Sequence, residues 1–363
     1  MKQLKYNFKK VDMSKRYKIN GLLLLFCCFI MFSCNNDTEK EIETIEVDIK
    51  GLTDIVVDKD CKDFLIIPLD DVADPIAAQN VRLYGDKIIV KSMDCILIYS
   101  VNGDYIGKID KKGHARSEYL TIFDYLYVDD VIYINDFQSS KIISYNLQGE
   151  YLNSYSYLEN EFKYDKLFKL DSNLFVAVNS WNGTPGITTP MFSFINNTFK
   201  VVNMDSTLTR TNGMLMINSF SRYKDISLYW MYADNSIYQI DGNHNVSVRY
   251  KVDFGKYGIP DAILKEPNSE LFFDYITENI SQIAFSIDNI YEQEDVVMFT
   301  FAYNKNRCYS IYGKSSKQSK LFTASFSDFE YTKVSDFYRY KNSWISLWQK
   351  GDRTYLAYCK GNF

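Results

Sequence analysis

Between Gly85 and Ile109 the chain reads GDKIIVKSMDCILIYSVNGDYIGKI: a polar corner, an alternating strand, a polar loop, a second strand and a Gly-containing turn into a third. The same order returns from Asp129 to Tyr155 as DDVIYINDFQSSKIISYNLQGEYLNSY. Short runs rich in Ile, Val, Tyr and Phe, bounded by Asp, Asn, Gly and Ser, predict antiparallel strands joined by tight turns. Asn102-Gly103 predicts a two-residue type I′ turn with positive φ at both positions, and Gln148-Gly149 stands at the matching place. Looser copies follow in SNLFVAVNSWNG…MFSFINNTFKVVNM, turning at Asn196-Asn197, and in DISLYWMYADNSIYQIDGNHNVSVRYKV, turning near Gly242-Asn243. Two more complete the series: DVVMFTFAYNKNRCYSIYGKSSKQSKLFTA and, from Ser343, SWISLWQKGDRTYLAYCKGNF.

One aromatic marks each copy: Tyr99, Tyr145, Phe194, Tyr238, Tyr309 and Tyr358, at intervals of 44 to 49 residues with one of 71 between Tyr238 and Tyr309. Six units at that period predict a six-bladed β-propeller of four-stranded antiparallel blades. The long interval predicts an insertion near 260–288. There PNSELFFDYITENI reads as a short helix capped at Asn268 or Ser269, with Leu271, Phe272, Tyr275 and Ile276 on one side. That side is expected to pack over a blade, the alternative being a roof over a central pocket. The 30 Tyr and 25 Phe suit half-buried pleated sheets. The last copy lacks an outer strand, so the ring needs one from elsewhere. ETIEVDI, Glu43 to Ile49, is expected to supply it, with DFLIIPL, Asp63 to Leu69, as the competing segment.

The first 20 residues carry Lys2, Lys5, Lys9, Lys10, Lys15, Arg16 and Lys18 against Asp12, and an apolar run follows from Leu22 to Phe32. That run is shorter than the roughly 20 residues of a membrane-spanning helix, and the pattern is that of a secretory signal. Its end, MFSC from Met31 to Cys34, resembles the lipobox of bacterial lipoproteins, although Met31 and Phe32 depart from the usual residues. The resemblance implies cleavage after Ser33 and lipid on Cys34. The expected organisation is a signal at 1–33, a flexible acidic tether at 34–43 and the propeller at 44–363. Several acyl chains give durable attachment where one is marginal. Loss of the signal takes the net charge from −5 to about −11, a balance that argues against nucleic acid.

Lipobox, tether and repeats together resemble the bacterial six-bladed β-propeller lipoproteins, relatives of the NHL-type propellers. Most of the likeness lies in GKIDKKGHARSEYLTIFDYLYVDDVIYINDFQSSKIISYNLQGEY, Gly107 to Tyr151. The family's GxGPGEY segment reads KKGHARSEY here, keeping Gly113, Glu118 and Tyr119 but not the proline. The resemblance implies the outer membrane of a Gram-negative bacterium, with the ring facing periplasm or cell surface. It implies no activity, because propellers host binding proteins and enzymes alike.

In such a blade the links between blades and the second-to-third-strand loops share one face. The long connections here, 111–120, 158–164, 205–213, 255–289 and 179–190, all fall there. That loop face is the expected ligand face. On it Trp181, flanked by Asn179 and Asn182 in a Gly- and Pro-containing loop, has the make-up of a sugar-stacking site; packing against its own blade is the plainer reading. His114, Arg116 and Glu118 sit on another such loop, where His114 reads first as solvated and second as a ligand contact. The only other histidine, His244, lies in a turn, so a histidine-rich metal site is not expected. Acids such as Asp86, Asp129, Asp130, Asp171 and Asp225 sit at strand corners as turn residues. No P-loop, GxGxxG, GxSxG or Asp-box is present. Cys61, Cys95, Cys308 and Cys359 show no CxxC spacing and read as buried thiols rather than a disulfide. The expected function is a module binding a glycan, peptide or envelope protein, with no cofactor identified. The alternative is a carboxylate-based hydrolase or lyase at the central channel.

Overall fold

A computed structural model describes residues 42–69, 80–157, 164–171, 173–179, 190–209, 217–231, 234–264, 269–341 and 343–360. They form a six-bladed β-propeller. Blade 1 runs Asn80–Tyr84, Lys87–Lys91, Ile96–Ser100 and Tyr105–Ile109, from the innermost strand outward. Blade 2 begins at Asp124–Val128, blade 3 at Lys166–Lys169, blade 4 at Ile217–Tyr223 and blade 5 at Ala284–Glu292. Each marker aromatic lies on the third strand of its blade. Tyr99, Tyr145, Phe194 and Tyr309 are at most 2% exposed. The cores lie between neighbouring blades: Ile89, Ile98 and Ile109 of blade 1 pack on Tyr125, Ile132 and Ile143 of blade 2.

Ring closure differs from the sequence expectation. The outer strand of blade 6 is β3 (Leu65–Pro68), antiparallel to Arg353–Lys360 with Leu65 opposite Tyr358. The segment from Glu43 goes elsewhere. Its strand β1 (Glu43–Glu46) runs parallel to the outer strand of blade 4, and β2 (Leu52–Val56) runs parallel to the outer strand of blade 5. The N-terminal segment is therefore a belt that crosses three successive blades and ends inside the last. Alternation still decides which residues it buries. Ile45, Val47 and Ile49 are 5% exposed or less and join the core between blades 4 and 5.

The belt is fastened by a disulfide between Cys61 and Cys359, on the third strand of blade 6. This overturns the expectation of thiols at these two positions. Cys95 and Cys308 are free. The two bonded residues are 298 apart in sequence, and pairing at that distance cannot be read from spacing.

The third-to-fourth-strand turns of blades 1–4 repeat one design, and it is not type I′. In each, a residue's N–H bonds the carbonyl four positions on, and the fourth residue of the turn donates back to the first: Ser100 to Asp104, Asn146 to Glu150, Asn196 to Lys200, Asp241 to Asn245. The first side chain accepts from the amides two and four residues ahead, as Asn146 Oδ1 does from Gln148 (3.0 Å) and Glu150 (2.9 Å). Only the fourth residue has positive φ: Gly103, Gly149, Phe199 and His244. This is a type I turn closed by a single left-handed residue. His244 occupies that position and stacks on Phe194 at 4.4 Å.

The insertion carries the helix Ser269–Asn279 and a single turn at Asp261–Leu264. Phe272 and Ile276 are buried against Ile259, Ile283 and Phe285, over the first strand of blade 5. Leu271 is 53% exposed and is not part of the packed side. Asn268 lies outside the described residues. No helix among the described residues is long and apolar enough to cross a membrane.

Candidate functional site

A cavity of about 550 Å³ occupies the middle of the ring, lined by the first strands of blades 1, 4, 5 and 6, by Phe168 from blade 3, and by Trp230 and Arg307 from the second strand of blade 4 and the third of blade 5. Two of those strands are irregular, and the irregularities supply its chemistry. The first strand of blade 5 breaks register on both sides of Asp288, and Ser286 and Asn289 have φ of 58° and 47°. Such bulges re-aim side chains that strict alternation would place elsewhere. The first strand of blade 6 is interrupted between Thr332–Lys333 and Tyr338–Tyr340. Its break is pinned by the amides of Val334 and Ser335 on the carbonyl of Leu347, and Ser335 Oγ accepts from the amide of Leu347. Asp336 lies in that break.

These two carboxylates meet at one guanidinium. Arg307 Nη2 is 3.0 Å from Asp288 Oδ2 and 3.0 Å from Asp336 Oδ2. The two oxygens are therefore no more than about 6 Å apart. Asp336 also accepts from Asn289 Nδ2, from Arg307 Nε at 3.2 Å and from Tyr309 OH at 2.9 Å. Lys333 Nζ donates to Tyr309 OH at 2.7 Å. Burial, with the charge of Asp336 added, pushes the Asp288 carboxyl above its ordinary range despite Arg307. Burial pulls the Lys333 ammonium down. On the blade 4 side, Ser221 Oγ and Trp230 Nε1 are buried at the cavity wall without a hydrogen-bond partner among the described residues.

Behind the blade 1 lining, Arg82 ties blade 1 to blades 2 and 3. Arg82 pairs with Asp124 Oδ1 at 2.5 Å, donates to the carbonyl of Tyr125 and lies 4.5 Å over the Tyr125 ring. Asp124 Oδ2 accepts from the amide of Leu167 at 3.3 Å, so one buried carboxylate ties three blades. Burial alone would raise its pKa; Arg82 and Lys166 outweigh that and hold it below the usual range. Lys91 lies opposite Asn80, a cavity residue, in the blade 1 register.

A second ionic cluster, at the far end of the first strand of blade 5, has a different role. Glu292, its side chain fully shielded, takes Arg249 at 2.6 Å, Lys314 at 2.7 Å and Tyr250 OH at 2.9 Å. It ties blade 4 to blade 5. Burial would raise its pKa, but the bonds from Arg249 and Lys314 prevail and hold it below the usual carboxylate value. Its stabilisation is complete above the unfolded pKa and lost as pH falls through the lower folded one. Glu292→Gln is therefore expected to destabilise the protein at pH 7 and to narrow its stability loss between pH 7 and 3, read from urea midpoints across pH.

Of the residues singled out on the loops, the described ones, His114, Arg116, Glu118 and Asn179, are not in the cavity lining. His114 and Arg116 are exposed. Arg116 Nε reaches Ser154 Oγ at 3.4 Å. Glu118 Oε2 turns inward to accept from the amide of Ala115 at 2.9 Å, closing its own loop. A Cβ on Gly113 would meet that oxygen at 2.0 Å, so a larger residue there would require the Glu118 carboxylate to move. Asn179 is 7% exposed at the end of the second strand of blade 3. Trp181, Asn182 and Cys34 lie outside the described residues. The channel residues Arg82, Asp288, Arg307 and Asp336 were not singled out from sequence; the usable signals were the polar pairs in SIDNI and KVSDFYRY.

Residues 44–358 match the family described as a domain of unknown function, DUF4934. Among solved structures, a Bacteroides fragilis NCTC 9343 protein described as exported is similar at 14% identity and TM-score 0.65. That match covers 89% of this chain and 100% of the other. A member of the DUF4221 family from Bacteroides vulgatus is similar at 13% identity and TM-score 0.56, over 82% of this chain and 96% of the other. Identities so low speak to fold alone. No curated protein matches the chain.

Proposed function

The chain belongs to the DUF4934 family, whose match takes in every blade, and from that premise we propose that it is an exported, lipid-anchored propeller that binds a polar ligand in its channel. One observation carries this reading. Two inner strands abandon regular pairing to bring Asp288, Asn289 and Asp336 to Arg307 at the wall of a cavity large enough for a small ligand. Irregular inner strands lose ladder bonds, and that cost is repaid where the freed groups bind something. A saccharide or short peptide suits a wall that mixes these groups with Tyr84, Phe168, Phe220 and Tyr291. Trp181 and Asn182, with the exposed His114 and Arg116, are the loop-face contacts by which a longer ligand or partner protein would extend outward, with Asn179 and Glu118 supporting their loops.

Export rests on the N-terminal signal, and anchorage on Cys34 at the end of MFSC, as in the NHL-like propeller lipoproteins of Gram-negative outer membranes. A thermal-shift screen of the chain from Asn35 against oligosaccharides, peptides and divalent ions tests the binding reading. A ligand at about 100 times its Kd adds roughly 2.7 kcal/mol to the folded state. Asp336→Ala is expected to abolish the shift of any hit and Trp181→Ala to reduce it for longer ligands. A hit insensitive to Asp336→Ala places binding outside the channel.

A hydrolase or lyase is the second reading, favoured by the proximity of Asp288 and Asp336 and by the environment that raises Asp288. A carboxyl whose pKa is raised by burial, close to a second carboxyl, is the kind of pair that general acid and base chemistry uses. Turnover of a bound saccharide, lost in Asp288→Asn with binding retained, would select it.

A further inference from the structure

The two walls of the channel differ in how their charges are satisfied. On the blade 5 and 6 side, Asp288 and Asp336 face Arg307 and Lys333, two acids to two cations, all joined to one another. On the blade 1 to 3 side, Arg82, Lys91 and Lys166 surround Asp124 alone. Asp124 is fully committed to Arg82 and the amide of Leu167. The ammonium groups of Lys91 and Lys166, both half-buried residues, make no hydrogen bond or ion pair with any described residue.

A half-buried ammonium whose nearest counter-charge is a carboxylate already bonded to Arg82 forfeits hydration and receives little in exchange. Burial accordingly pulls the Lys91 ammonium down despite Asp124, with Arg82 and Lys166 adding repulsion. The whole chain carries more acid than base, 46 to 41, so an excess of cations in one recess is not a consequence of composition. Cations concentrated at a low-dielectric recess focus negative charge into it. Lys91 lies opposite Asn80 and Lys166 shares a strand face with Phe168, and Asn80, Arg82 and Phe168 line the cavity, so the recess borders the site already described.

We infer that the channel ligand is anionic, a saccharide bearing a carboxylate whose acid group sits among Arg82, Lys91 and Lys166. This deepens the binding reading and rests on it. The division of labour follows from the walls. The carboxylate meets the unsatisfied cations, the ring lies against Tyr84 or Phe220, and the hydroxyls reach Asn289 and the carboxylates of Asp288 and Asp336. Buried donors without partners, Trp230 Nε1 and Ser221 Oγ, add two places for ligand oxygens. An oxyanion from another source, such as phosphate, shares the chemistry of the cationic recess but not that of the opposite wall.

The test is calorimetric titration of the full processed chain, solubilised in detergent, with uronate oligosaccharides, their neutral counterparts and inorganic phosphate. The uronate is expected to bind at least tenfold tighter than the neutral sugar, with an advantage that shrinks as salt rises. Lys91→Met and, separately, Lys166→Gln are each expected to cut that advantage by about tenfold. Lys91→Met is also expected to leave the free protein's Tm unchanged or raised, because it removes an unpartnered buried charge, so the loss cannot come from unfolding. Equal binding of neutral and acidic sugars overturns the anionic assignment and leaves the channel reading intact. Phosphate binding that depends on Lys91, with no saccharide bound, overturns the saccharide and keeps the oxyanion recess. No binding by any of the three, in a folded protein, overturns the inference; loss of the channel reading itself would require the broader ligand screen to fail as well.

Discussion

Reduction of the Cys61–Cys359 bond, or its removal in Cys61→Ser/Cys359→Ser, is expected to lower stability by about 3–5 kcal/mol and Tm by roughly 5–15 °C. The bond closes a loop of 298 residues, near the upper end of what chain entropy can confer on one cross-link. Its position matters as much as its span. β3 is held to blade 6 by four register pairs, and on it depends the seam where the first and last blades meet. Without the disulfide, the belt is secured by parallel pairing of β1 and β2 on the outer strands of blades 4 and 5, by Glu43 to Lys317 and by Asp58 to Ser327. Proteolysis of the reduced protein should therefore cut first in the N-terminal 42–69 region. A reduced protein that melts within a degree of the oxidised one would show that the belt's pairing closes the ring unaided.

Arg307→Met is the second large effect expected. It removes the one guanidinium that Asp288 and Asp336 share, leaving two carboxylates within about 6 Å of each other and little exposed. A fully buried pair broken this way costs about 3–5 kcal/mol; the Arg307 side chain is 33% exposed, so solvent screening brings the expectation to about 2–3 kcal/mol at pH 7. The cost should fall as pH is lowered toward 5. Burial already holds the Asp288 carboxyl above its ordinary range despite Arg307, and a raised carboxyl is destabilising where it must ionise and ceases to be so once protonated. Asp336→Asn added to Arg307→Met should restore part of the stability, because it removes the repulsion. Ligand binding should be lost in both. A variant as stable as the parent at pH 7 would mean that water, not Arg307, satisfies the two carboxylates.

The blades were legible because their signal is local. Alternation, corner residues and one aromatic per third strand recur at a fixed period, and the marker tyrosines fall where that period puts them. Corner acids behaved likewise: Asp129 and Asp130 are left-handed turn residues with φ of 51° and 60°. The choice between two N-terminal strands was not legible. ETIEVDI and DFLIIPL both alternate, and what separates them is which outer edge each meets, a pairing across some 200 to 290 residues that no local pattern records. The one that closes the ring is the one next in sequence to blade 1. The turn type was missed for a related reason. Asn-Gly fits type I′, but the Asx or Ser residue two positions earlier caps two amides and selects a longer turn. The channel cluster was hidden by its own cause. A bulge inverts the side-chain parity that sequence reading assumes, so Asp288 and Asp336 read as ordinary strand polars until the register breaks are seen.

The most direct test of the channel as the binding site is a crystal structure of the chain from Asn35 with the best ligand from the screen at saturating concentration. Ligand density between Arg307, Asp336 and Asn289, extending toward Arg82 and Lys91, is the predicted result. Ligand bound on the loops alone, with the channel cavity occupied only by solvent, would contradict it.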